Sequence, residues 1–289
     1  RAAFSGCTGL TAVILGRDLT YIVGGAFADC TSLTSVVIPD SVTKIDNSVF
    51  RGCAELSAVM IGSGVTKIDS SAFNDCASLV SLTVAEGNET YHSAGNCVIE
   101  TASKTLVFGC NSSVIPSDGS VTRIGAEAFA GRTGLTSIVI PDGVTYIDRF
   151  AFDECTSLTS VTIPDSVTYI NYHAFYGCTS LTSVIIPYGV AVIEQHTFSN
   201  CTSLTSVTIP DSVTYITFHA FYRCSGLTSV IIPGSVDEIR QNAFADCASL
   251  TSVTFEGTVE EWNAVVKGTG WNSNCPFTEV VCSDGVVAV

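Results

Sequence analysis

The sequence predicts an α/β repeat solenoid, mainly β, wound from coils of 23 residues. Three observations predict it. Phenylalanines recur at a constant interval of 23 residues, at Phe4, Phe27, Phe50 and Phe73, and again at Phe129, Phe152, Phe175, Phe198, Phe221 and Phe244. Phe73 to Phe129 spans 56 residues, one period plus an insertion of 33. Each regular period also carries a run in which apolar residues alternate as on a half-buried strand. A period of this length marks units that bury their apolar sides only by stacking on one another.

The unit is clearest from Leu158 to Cys178. Leu158-x-x-Val161-x-Ile163 predicts a short strand with one buried face, and such strands stacked in parallel make one sheet. Pro164 has no N–H to give a ladder and ends the strand. Val167-x-x-Ile170 turns a second apolar pair inward as a shorter strand on the opposite wall. Ala174-Phe175-x-x-Cys178 then turns back, with the Phe175 ring filling the space between the walls. Four segments follow: repeats over 1–83, an irregular inserted unit over 84–119, repeats over 120–255 and a C-terminal cap over 256–289. The first residues already lie inside a repeat (Ala3-Phe4-Ser5-Gly6-Cys7), so the chain reads as a fragment without its N-terminal cap.

Composition excludes several functions. Charged residues are only 13% of the chain, and Ser and Thr fill the exposed positions instead. Net charge is −15 and the 12 basic residues are scattered singly, so no stripe exists to displace counterions from phosphates, and nucleic acid is excluded as a partner. No apolar run reaches the roughly 18 residues that span a bilayer, and the run from Val184 to Ile193 is broken by Pro187 and Gly189, so no membrane insertion is expected. No secretory leader is visible and the chain is expected to be a monomer. No phosphate-binding loop, nucleophile elbow, zinc-protease helix motif, EF-hand or CxxC occurs, so no catalytic residue and no cofactor is assigned. Asp40, Asp142, Asp165 and Asp211 form a column after the repeat proline and are read as turn residues.

The 13 cysteines divide into two groups. Cys7, Cys30, Cys53, Cys76, Cys155, Cys178, Cys201, Cys224 and Cys247 share one repeat position, which Arg132 also occupies. They are read as a ladder of buried thiols, because parallel side-chain vectors on neighbouring coils disfavour bridging. Cys97 with Cys110, in the insertion, and Cys275 with Cys282, in the tail, stay open as bridged or free. In the tail, Thr258 and Glu261 predict a capping box. Trp262, Val265 and Val266 predict an apolar stripe, and Gly268 a helix stop. That helix would lid the last coil.

The pattern L-x-x-V-x-I-P-x-x-V-x-x-I-x-x-x-A-F-x-x-C resembles the BspA-like, treponemal-type leucine-rich repeat. The insertion (Asn88 to Ser93, Asn96 to Glu100, Lys104 to Leu106) is similar to the longer atypical unit of such proteins, and the tail from Gly257 to Gly285 to their closing segment. The resemblance implies a leucine-rich-repeat right-handed superhelix and a secreted or cell-surface bacterial protein with a role in adhesion.

Functional information lies where the repeats disagree. The three residues before Ala-Phe are bland early on, as in Asp46-Asn47-Ser48, Asp69-Ser70-Ser71 and Gly125-Ala126-Glu127. From residue 148 they become large: Asp148-Arg149-Phe150, Asn171-Tyr172-His173, Glu194-Gln195-His196, Thr217-Phe218-His219 and Arg240-Gln241-Asn242, with Tyr176 and Tyr222 after their phenylalanines. Arg149, Phe150, Tyr172, His173, Tyr176, His196, Phe218, His219 and Tyr222 are therefore the candidate ligand-binding residues. The competing reading is that these rings only shield the coil edge. His173, His196 and His219, with Glu194 nearby, also suggest a metal, but a linear column does not make a tetrahedral ligand set, and no metal is assigned. Stacked imidazolium ions would repel, so acid sensitivity is expected. Tyr146, Tyr169 and Tyr215 form another column, read as cross-strand packing. The expected function is non-catalytic recognition of a host or bacterial protein or glycan; the alternative is a structural spacer within a larger surface protein.

Overall fold

The computed structural model describes residues 2–289, which form two compact units, divided between Leu135 and Thr136. Each unit is a β-solenoid of 23-residue coils. In the N-terminal unit one wall is the parallel sheet Ser35–Val37, Ala58–Ile61 and Ser81–Val84. The opposite wall pairs Tyr21–Ile22, Lys44–Ile45 and Lys67–Ile68. In the C-terminal unit Ser137–Val139 pairs with Ser160–Thr162, and Ser183–Ile185 with Ser206–Thr208. Between regular coils the register is one period: Val36 lies beside Val59, and Ile147 beside Ile170. Proline ends most of these strands as expected, but Ser229–Pro233 runs through Pro233, which pairs with Glu256.

Burial explains the repeat. Phe50, Phe73, Phe152, Phe175, Phe198, Phe221 and Phe244 are fully enclosed between the walls. Their rings stack coil on coil, with centroids 5.1–5.5 Å apart and nearly parallel planes. On the side where each coil turns back, the Phe N–H donates to the alanine carbonyl of the following coil, as from Phe50 to Ala72 (2.8 Å) and from Phe198 to Ala220 (2.9 Å). These bonds hold coils together where no regular strand is available.

The inserted segment is a meander. Tyr91–Ala94, Cys97–Glu100 and Thr105–Phe108 pair antiparallel, and Thr105–Phe108 then pairs in parallel with Arg123–Ile124. Gly109 takes the position of the repeat phenylalanine, since its N–H donates to Ala128 O at 2.8 Å. A side chain there would sit 2.0 Å from the Phe129 ring, so only glycine fits. Phe108, at the alanine position, meets Phe73 edge-on at 5.3 Å and ends the stack.

The tail repeats this device. Trp271 takes the alanine position, accepting from Phe244 N–H at 2.7 Å, and meets the Phe244 ring edge-on at 6.2 Å. Strand Val266–Lys267 extends one wall beside Glu238–Ile239, and Glu279–Cys282 extends the other beside Ser252–Glu256. The segment expected to cap the last coil is thus itself a coil, with the helix Val259–Ala264 carried on it. The capping box forms as expected: Glu261 N–H donates to Thr258 Oγ1, and Glu261 accepts from Thr258 N–H. The helix stops earlier than Gly268 suggested, because Val265 leaves helical geometry (ψ 125°) to start the strand. Trp262 and Val265 are buried, but Val266 is exposed, so the expected apolar stripe loses its last member to the strand's outer face.

Candidate functional site

The candidate residues share one geometric cause. The position two before the repeat phenylalanine has positive φ in coil after coil: Gly25 65°, Ser48 52°, Glu127 59°, Phe150 55°, His173 57°, His196 55°, His219 57° and Asn242 57°. Side-chain-bearing residues avoid this left-handed region. It is imposed here because the N–H must reach the next coil: His173 donates to Gln195 O (3.0 Å) and His196 to Phe218 O (3.1 Å). In the C-terminal unit the strained position holds rings, which then stack. Phe150 lies 4.8 Å from His173, His173 4.6 Å from His196, and His196 4.6 Å from His219. The column continues to Asn242, whose Nδ2 meets His219 Nε2 at 3.1 Å.

Two flanking columns complete a continuous aromatic surface. Tyr172 meets Phe150 edge-on at 5.4 Å and His173 at 5.9 Å. Tyr176 lies 5.2 Å from His173, and Tyr222 5.2 Å from His219. Phe218 is exposed on the same face, with the Arg240 guanidinium 5.3 Å over its ring. Arg223 covers the Tyr222 ring at 5.0 Å. Arg149 is exposed, and its backbone N–H is tied to Asp148 Oδ1 at 2.8 Å. All nine candidates thus lie on one side of the C-terminal unit. Arg223 and Arg240 were not among them; their signal is that each lies within one coil of an aromatic at an edge position.

The imidazoles are half-buried and hold little charge. Desolvation pushes His173 and His219 below the ordinary histidine range. His196 falls to about 4, first from desolvation and then from its two histidine neighbours. The Nδ1 atoms of His196 and His219 are buried without a hydrogen-bond partner. Glu194 does not join them: its carboxylate accepts from the Tyr169 hydroxyl at 2.8 Å. Burial and this carboxylate raise the Tyr169 pKa. Tyr146 stacks on Tyr169 at 5.0 Å, so this column serves packing. Among the described residues no group of His, Cys, Asp or Glu is placed to hold a metal.

Elsewhere the structure corrects the cysteine reading at one position, since Cys7 of the expected buried column is exposed. All 13 are free, including Cys97, Cys110, Cys275 and Cys282. The column thiols donate to the phenylalanine carbonyl of the preceding coil, as from Cys178 to Phe152 O and from Cys201 to Phe175 O, both 3.2 Å. Burial raises the pKa of Cys178, Cys201 and Cys224, to about 12 for Cys201. Cys275, set apart from the column by its position in the tail, belongs to it: its Sγ donates to Phe244 O at 3.0 Å. Arg132 performs the same service with a longer arm. Fully buried, it donates from Nη1 to Phe73 O and Ala130 O, both 3.0 Å, and from Nε to Gly109 O at 2.9 Å. The outward strand residues Val139, Ile185 and Ile231 form a second exposed apolar set that repeat comparison passed over, since they vary only among Val, Ile and Thr.

The fold and repeat define a leucine-rich-repeat protein. A model of the BspA-type leucine-rich repeat region matches residues 1–96, 100–225 and 145–266, and the chain belongs to that family. It is similar to a leucine-rich cell-surface protein from Faecalibacterium prausnitzii, at 29% identity over 92% of this chain, with a TM-score of 0.68. The chain spans 65% of that protein's length. A leucine-rich repeat protein from Eubacterium ventriosum shares the fold at TM-score 0.79 and 22% identity, over 96% of this chain and 80% of the other. The pneumococcal vaccine antigen PcpA does so at TM-score 0.60 and 18% identity, over 92% and 71%. No curated protein matches the chain. No helix among the described residues is long and apolar enough to cross a membrane.

Proposed function

We propose that this chain is a non-catalytic recognition module of a bacterial cell surface that adheres to a host or bacterial protein or glycan. The observation that supports this reading most is the contiguous aromatic face of the C-terminal unit, from Phe150 through Tyr172 and Tyr176 to Phe218 and Tyr222, flanked by Arg149, Arg223 and Arg240. Tyr and Arg carry a disproportionate share of binding energy at interfaces, and rings offer large contact area at low entropic cost. The rings sit on rigid stacked coils, which favours a preorganised surface. The likeness to a cell-surface protein of Faecalibacterium prausnitzii supports the location.

The test replaces Tyr172, Phe218 and Tyr222 together by Ser. Binding to glycan arrays and to extracellular-matrix proteins should disappear while the circular dichroism spectrum stays unchanged. Full retention of every interaction by the folded triple variant would sink the aromatic face as the binding surface, and no interaction by the unaltered chain would leave it a spacer.

A further inference from the structure

We propose that Cys247 and Cys275 are a redox-responsive dithiol that closes to a disulfide and clasps the C-terminal coil to the one before it. The two residues hold the same position on neighbouring coils. Phe244 N–H donates to Trp271 O at 2.7 Å and Asp246 N–H to Ser273 O at 2.8 Å, which fixes the register. Neighbouring rungs lie about 4.7–4.9 Å apart. A disulfide accepts Cα separations of about 4.4–6.8 Å.

Two features separate this pair from the enclosed members of the column. Cys178, Cys201 and Cys224 are fully enclosed, so no oxidant reaches them, whereas Cys275 is part-exposed. The regular cysteines are also held parallel by a spacing of 23 residues, but Cys247 to Cys275 spans 28. The extra residues carry the helix, and the two sulfurs lie within hydrogen-bonding reach of each other. That contact lowers the Cys275 pKa, favouring the reactive thiolate, and raises that of Cys247.

The chemistry is thiol–disulfide exchange with a small-molecule disulfide. The Cys275 thiolate attacks one sulfur of the reagent, breaks its S–S bond and expels one thiolate, which takes up a proton. Cys247 then loses its proton to solvent, attacks the Cys275 sulfur and expels the second thiolate. The two cysteines lose two electrons and two protons, and the reagent gains them as two thiols. The closed loop contains the helix Val259–Ala264 and buried Trp262, so oxidation ties down the segment covering the last phenylalanine. Reduction releases it.

The whole chain is incubated with glutathione disulfide at pH 8, remaining thiols are alkylated under denaturing conditions, and the linkages are mapped by peptide mass spectrometry. The expected product joins the Cys247 and Cys275 peptides and leaves Cys178, Cys201 and Cys224 alkylated. Amide exchange across 259–282 should slow on the order of a hundredfold on closure. Cys247→Ser should accumulate glutathione on Cys275. If that variant fails to fold, Cys275→Ser, altered at a part-exposed site, should leave Cys247 fully alkylated. A stable glutathione adduct on Cys275 of the unaltered chain, or a linkage between other column cysteines, would overturn the proposal.

Discussion

The N-terminal and C-terminal units build the same coil and fill its strained corner differently. At the left-handed position the first unit places Gly25, Ser48 and Glu127, and the second places Phe150, His173, His196 and His219. The backbone angles agree within a few degrees of one another across most of these residues, so the conformation belongs to the coil and not to the side chain. A small residue there, glycine above all, satisfies the turn at little cost. A large ring accepts the strain and recovers energy by stacking on the same ring one coil away. The second unit thereby gains an aromatic surface that stability alone does not require, which is where function is to be sought.

The comparison can be broken or sharpened by four measurements, taken from the largest expected effect to the smallest. Phe50→Ala and Phe175→Ala each remove a fully enclosed ring from the stack, and each should cost about 3–5 kcal/mol. Urea unfolding read by amide exchange within each unit should give similar losses; a much smaller loss in one unit would mean that the coils are not equivalent. Arg132→Ala strips three carbonyls of their donor and opens a cavity, and should destabilise the N-terminal unit by roughly 2–4 kcal/mol, again by urea unfolding.

Acid should separate the two units. The three column histidines have folded pKa values depressed below the unfolded value, so the unfolded chain binds more protons in the intervening window. Their neutral forms cost nothing at neutral pH; stability then falls as pH drops below about 6.5, and for His196 the loss is complete near its folded value of about 4. With solvent screening around half-buried rings, His196 should account for roughly 1–2 kcal/mol. Amide exchange between pH 7 and pH 4.5 should quicken across 150–222 more than across the N-terminal coils. The smallest effect is expected from His196→Asn. Asparagine tolerates the left-handed region, so thermal stability at pH 7 should stay within about 1 kcal/mol, while much of the acid response disappears. An undiminished acid response would move its origin away from the imidazole column.

The fold was legible because the coil repeats. Comparing Leu158–Cys178 with its neighbours identified both walls, the enclosed phenylalanine and the buried cysteine position without an atom being placed. The capping box was equally legible, since Thr258 and Glu261 interact over three residues. The candidate site was legible only as a list of positions. That Phe150, His173, His196 and His219 stack within 5 Å follows from the period, but their left-handed backbone does not, because it arises from N–H groups reaching the next coil. The roles of Arg132 and Cys275 were not legible for a similar reason. One differs in side chain and the other in spacing, yet each donates to the same class of phenylalanine carbonyl.

By itself the sequence determined the period, the apolar positions and the concentration of aromatics after residue 148, because these depend on residue type at fixed spacing. Tertiary structure decided what happens where spacing fails. Phe108 and Trp271 turn edge-on to close the phenylalanine stack, and the tail becomes a further coil. Such choices rest on space left by a neighbouring coil and on carbonyls awaiting donors, and both exist only once the coils have stacked.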